Sequence, residues 1–91
     1  MLTAAGAKGL NVQARVYVTL KRSVLDPQGK TIHSALEALG FRDVEGVRCG
    51  KMIEVTFKAG VKPEAAERNL KDMCEKLLAN TVIEDYRWEI V

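Results

Sequence analysis

The chain is short of the side chains that do chemistry: one histidine, two cysteines and one tryptophan in 91 residues. A nucleophile, a base and an orienting group cannot readily be assembled from so little, and no phosphate-loop, nucleophile-elbow or zinc-helix pattern occurs. Cys49 and Cys74 match no metal-ligand spacing, and nothing points to an oxidising compartment, so both are expected as free thiols. His33 has no second ligand at metal spacing. The residues therefore suggest no catalytic, cofactor-binding or metal site. Charge of one sign is scarce as well. Fourteen Lys and Arg stand against twelve Asp and Glu, a net +2, whereas a protein that grips nucleic acid through its phosphates carries a strong positive excess. No apolar run approaches the roughly 20 residues of a membrane span. Met1–Gly9 has no basic segment followed by an apolar core, so it does not read as a secretory signal. The expectation is a cytoplasmic protein with neither membrane nor nucleic acid as partner.

What is present is a foldable chain. It is 47% hydrophobic and 29% charged, a composition of globular domains rather than disordered tails. At this length there is room for one small domain, not for a two-domain enzyme with a deep cleft. Residues 1–12, rich in Ala and Gly, show no periodicity and read as a loose lead-in to a single domain over 13–91. From Gln13 to Lys21 apolar Ala14, Val16, Val18 and Leu20 alternate with Arg15, Tyr17, Thr19 and Lys21, which predicts a half-buried strand. Asp26 suits a helix N-cap and Pro27 the first helical position. Ile32, Ala35, Leu36 and Leu39 then form one apolar stripe, and Gly40 ends the helix. His33 and Glu37 fall on its solvent side.

Val44 to Lys58 reads as a hairpin turning at Gly50-Lys51, with Gly50 first in a type II′ turn. That register sets Cys49 opposite Met52, Val47 opposite Glu54 and Val44 opposite Phe57. Pro63 opens a second helix whose stripe is Ala66, Leu70, Met73 and Leu77, flanked by Cys74 and Leu78, with Asn80 as its cap. Val82–Val91 is a β-prone last strand. The order β-α-β-β-α-β predicts an α+β fold, the ferredoxin-like two-layer sandwich, with two helices on one face of a four-stranded antiparallel sheet. The other face is left uncovered. On it the register places Val47, Cys49, Met52, Glu54 and Thr56 beside Tyr17 and Thr19, a partly apolar surface. Such a surface suggests self-association or partner binding, with Tyr17, Val47, Cys49 and Met52 as the contact candidates.

Two loops offer further candidates. Arg48-Cys49-Gly50-Lys51 brings two cations to a turn, suited to a partner or an anion. Asp26-Pro27-Gln28-Gly29 stands at a helix N-terminus, whose N–H groups suit an anion, although the Asp26 charge opposes one. A plain cap and a plain turn explain the same residues. Two other functions fit the topology. One is a regulatory domain binding an amino acid near Asp26–Gly29. The other is an RNA-binding module, which stacks bases on aromatic residues of its central strands. Met52, Glu54 and Thr56 offer no such platform.

Several stretches, in order, resemble one family. They are Val16-Tyr17-Val18-Thr19-Leu20-Lys21, Val24–Ile32, Ala35-Leu36-Glu37-Ala38-Leu39-Gly40-Phe41, Val47–Val55 and Asn80–Tyr86. Their order, spacing and chain length are similar to those of the small PurS subunit of phosphoribosylformylglycinamidine synthase, across about residues 13–91. The resemblance implies an accessory subunit in de novo purine synthesis. The holoenzyme, a ligase, uses ATP, Mg and glutamine. A glutaminase subunit releases ammonia and a large synthetase subunit consumes ATP. The small subunit bridges the two, supports ammonia transfer and associates with itself as a dimer or tetramer. It implies no catalytic residue and no cofactor bound by this chain. What it offers is interface candidates: Asp26, Pro27 and Gly29 in the first loop, and Arg48, Gly50 and Lys51 in the second.

Overall fold

The computed structural model describes residues 11–91; the proposed lead-in falls almost wholly outside them. Gln13–Leu20 forms the central strand, β1. Pro27–Ala38 is α1, Gly50–Thr56 is β2, Pro63–Met73 is α2, and Glu84–Ile90 is β3. A π-helical turn, Cys74–Leu78, continues α2. The sheet order is β2-β1-β3, with both neighbours antiparallel to β1. The architecture is α+β with two helices and, among the described residues, three strands.

Alternation along β1 sends Ala14, Val16 and Val18 to one face, where all three are buried. Residues opposite one another share a face, so Ile53 and Val55 of β2 and Tyr86, Trp88 and Ile90 of β3 line the same side. Leu70 and Cys74 close that side from α2 and its extension, together with Ala79. Full burial of Leu70 alone contributes about 1.5–3 kcal/mol. The Tyr86 hydroxyl donates to Glu75 on the π turn, which pushes the phenol up to about 12.

Three sequence expectations need correction. The strand over Val44–Cys49 does not form, and Gly50-Lys51 is not a turn. Instead Gly50 pairs with Thr19 and Lys51 with Val18, so the hairpin register Cys49–Met52, Val47–Glu54, Val44–Phe57 is absent. The backbone of residues 44–49 finds side-chain partners in place of a strand ladder. Cys49 N–H donates to Asp26 Oδ2 at 2.6 Å, and Val44 O lies 2.8 Å from His33 Nε2, which must donate because a carbonyl only accepts. Gly46, in the middle of the segment, also weakens any strand there. Gly50 is required for a different reason than a turn: a Cβ would lie 2.6 Å from Val18 O and 2.8 Å from Thr19 Cγ2.

The second correction concerns the end of α2. Leu77 is 81% exposed although it continues the apolar stripe. The π turn rotates the chain less per residue than an α turn, so the inward face falls later along the chain, on Leu78 and Ala79 in place of Leu77. Asn80 does not cap the helix either. Its Oδ1 accepts from Val82 N–H and its carbonyl from Ile83 and Glu84 N–H, building the turn into β3.

The third is α1. Its N-terminus is as expected: Asp26 caps it, accepting from Gly29 N–H at 3.0 Å, Pro27 opens the helix, and Gly40 follows with φ +102. Its apolar stripe, however, is not packed against the sheet. Gly29 is the only buried residue of the helix, and Leu39 is 73% exposed.

Candidate functional site

The sequence candidates separate into two places. Asp26, Gly29, Val47, Arg48 and Cys49 come together where α1 begins. Asp26 is 5% exposed and spends both carboxylate oxygens on backbone, Oδ1 on Gly29 N–H and Oδ2 on Cys49 N–H. Those two hydrogen bonds, Cys49 first, hold its carboxyl below the usual carboxylate range, with the Arg48 charge adding to them. Gly29 is there because the chains nearly touch: a Cβ would press on Val47 O and stand 2.7 Å from Asp26 Oδ2. Arg48 completes the junction. Its Nη2 donates to the carbonyls of Lys21, Val24 and Leu20 at 2.8, 3.2 and 3.3 Å. The 20–26 loop, the start of α1 and residues 44–49 are thus joined by one carboxylate, one guanidinium and one missing side chain. Pro27 sits exposed at the helix start, beside an apolar hollow it forms with Gln28, Thr31 and Ile32.

Gly50 and Lys51, the first two residues of β2, follow Cys49 directly and share a hollow with Asp26, Gln28 and Cys49. Tyr17 and Met52 lie elsewhere, directly paired on the open sheet face. Val47 and Cys49 are not on that face. Nor is the face the partly apolar surface expected from the sequence. Around Tyr17 and Met52 stand Arg15, Glu54, Asp85, Arg87 and Glu89. The Tyr17 hydroxyl donates to Glu89, the Arg87 guanidinium sits 4.1 Å from the Tyr17 ring centroid, and Arg15 Nε is 3.6 Å from Glu54. Most charges of this face meet a partner across strands, although Arg15 Nε is buried without a hydrogen bond.

Exposed apolar side chains occur at Leu77 and Val82, on the way from α2 to β3, and as a group on and around α1. Leu39 is 73%, Leu25 68%, Phe41 58% and Ile32 41% exposed. Sequence reasoning found the stripe but assigned it to the sheet. A 3.6-residue period looks the same whether its cover comes from the same chain or from another. A cleft of about 540 Å³ lies beside it, lined by Arg22, Leu25, Lys30, His33 and Arg48 with Asp26, Glu45, Gly46 and Val47. Arg22, Lys30 and Glu45 were not singled out in the sequence, since they meet only through the fold. The α1 N-terminus itself offers little to an anion. Gly29 N–H is taken by Asp26 Oδ1 and Lys30 N–H by Asp26 O, which weighs against an amino-acid carboxylate there. Both cysteines are free, Cys74 buried and Cys49 partly so. Burial pushes the Cys74 thiol up and away from reactivity. Among the described residues no three His, Cys, Asp or Glu side chains gather as a metal set, and no helix is long and apolar enough to cross a membrane.

Residues 13–91 match the family described as PurS: Phosphoribosylformylglycinamidine (FGAM) synthase. The chain is 50% identical to the phosphoribosylformylglycinamidine synthase subunit PurS of Bacillus subtilis, over 86% of this chain and 90% of that protein. Its fold is similar to that of B. subtilis PurS in a C2 crystal form, with a TM-score of 0.74 and 48% identity over 88% of this chain and 98% of that one. It is also similar to a chain in the structure of PurLQS from Thermotoga maritima, with a TM-score of 0.77 and 32% identity over 89% of this chain and 98% of that one.

Proposed function

The chain belongs to the PurS family of phosphoribosylformylglycinamidine synthase subunits, and from that premise we propose that it works by assembly and catalyses no step itself. In this reading it sits in the cytoplasm and joins a large ATP-dependent synthetase subunit to a glutaminase subunit. It keeps them in the arrangement through which ammonia passes, and it associates with further copies of itself. ATP, Mg and glutamine are used by its partners in purine biosynthesis.

The observation that carries the reading is α1. A twelve-residue helix with a regular apolar stripe buries one glycine and leaves Ile32, Leu39 and the neighbouring Leu25 and Phe41 exposed. Leaving such a stripe in water costs free energy that a contact recovers, and contiguous exposed apolar surface on a small domain marks an interaction site. The open sheet face, by contrast, is dominated by charges that mostly meet partners across strands, which supports placing the contact on the helix side.

Reconstitution tests the function. The purified chain should show neither synthase nor glutaminase activity. Added to the synthetase and glutaminase subunits, it should be required for glutamine-dependent product formation. Full glutamine-dependent activity without it contradicts the reading.

A further inference from the structure

We propose that the cleft between the start of α1 and residues 45–48 receives a carboxylate-bearing segment of a partner subunit, gripped by Arg22, Lys30 and Arg48. The inference rests on the assembly reading above and adds to it the chemistry of the partner.

The cleft, at about 540 Å³, has room for several side chains and opens to the surface. None of its three cations takes part in an ion pair among the described residues. The pairs found there are Arg15–Glu54, Lys21–Asp85 and His33–Glu37. Of the two carboxylates lining the cleft, Asp26 already has both oxygens committed to backbone N–H groups. Glu45 alone is left to face three cations. Arg48 is held in place by three carbonyls, all through Nη2. Its orientation is therefore set before any partner arrives, and a fixed guanidinium loses less entropy on meeting a carboxylate. Leu25, on the cleft wall and 68% exposed, gives the same segment an apolar contact.

The choice of occupant follows from charge and shape. A nucleic acid needs a broad basic surface and stacking platforms. This chain carries a net +2, and its open sheet face presents Glu54, Asp85 and Glu89. In this cleft three cations converge on Glu45 and an Asp26 whose oxygens are already taken, which suits a short acidic stretch of protein.

The test is R22E/K30E, two exposed side chains whose replacement leaves the Asp26 and Arg48 junction intact. Affinity of the full chain for the synthetase and glutaminase subunits together is measured against salt. Wild type should bind more weakly as salt rises, and R22E/K30E should bind at least about tenfold more weakly at low salt with that dependence flattened. Its circular dichroism and self-association should be unchanged. Should the variant misfold, R22Q/K30Q replaces it, with a smaller loss expected in the same direction. Affinity and salt dependence equal to wild type overturn the inference and leave the assembly reading standing. If wild type itself fails to join the complex, both fall. Salt-sensitive binding of an RNA oligonucleotide that R22E/K30E abolishes also overturns the inference, because it assigns the cleft to another class of partner.

Discussion

Two halves of this small protein are held together by different physics. In one, β1, β2 and β3 pack against α2 through Val16, Val18, Leu70 and Cys74, each almost fully removed from water. In the other, α1 and residues 39–49 are secured by a few polar bonds: Asp26 to two backbone N–H groups, Arg48 to three carbonyls and His33 to Val44. The first half buries a core, although Leu77 and Val82 stay exposed, whereas α1 buries only Gly29 of its own residues. A polar junction fixes direction well but contributes little net stability. The second half is therefore placed by its own chain, and in the proposed reading it is covered on assembly.

The contrast is exposed most strongly by cutting into the packed half. Leu70→Ala should lower stability by about 2–5 kcal/mol in urea unfolding, because the side chain is fully buried and its site cannot collapse completely. Gly29→Ala strikes the polar junction, forcing a methyl against Val47 O, and should cost about 1–3 kcal/mol. Its signature is regional: amides of α1 should lose exchange protection while those of β1 keep theirs. Leu39→Ser, on a side chain 73% exposed, should change the isolated chain by no more than about 0.5 kcal/mol. It should nevertheless weaken assembly about tenfold, about 1.4 kcal/mol, in a binding assay with the other subunits.

Acid should loosen the second half before the first. Asp26 has a carboxyl held below its ordinary 3.8. A group whose folded value is depressed contributes stability that is present above its unfolded value and is lost as pH falls through the folded one. Below about pH 4 wild type should lose stability in step with Asp26 protonation, and Asp26→Asn should start less stable and show a shallower acid slope in thermal melts followed from pH 3 to 7. The smallest effect is expected on the open sheet face. Arg15→Ala removes an ion pair with partners 43% and 66% exposed and should change stability by less than about 1 kcal/mol.

The packed half was legible in the sequence. Alternation in Gln13–Leu20 and the Ala66–Leu70 spacing after Pro63 depend on local period, and local period survives folding. Asp26-Pro27 was legible for a similar reason, since a cap needs only its own next three residues. The unpaired segment over residues 44–49 was not. Val44, Val47 and Cys49 have the composition of a strand, and only the long-range partners Asp26 and His33 draw them off the sheet. Gly50 needs to be glycine because of the neighbouring strand, not because of a turn. A glycine excused from a Cβ by a neighbouring strand looks, in one sequence, like a glycine in a turn. The exposed stripe on α1 was hidden by the same ambiguity, because periodicity reports that a face is apolar and not which molecule covers it.

Hydrogen exchange on α1 tests the central claim most directly. Protection of residues 28–40 is compared in the chain alone, diluted until monomeric, and in the complex reconstituted with the synthetase and glutaminase subunits. The account predicts that α1 amides exchange at least about tenfold more slowly in the complex while β1 amides stay as they were. Equal protection of α1 in both states would contradict it, for the helix would then be as complete alone as it is among its partners.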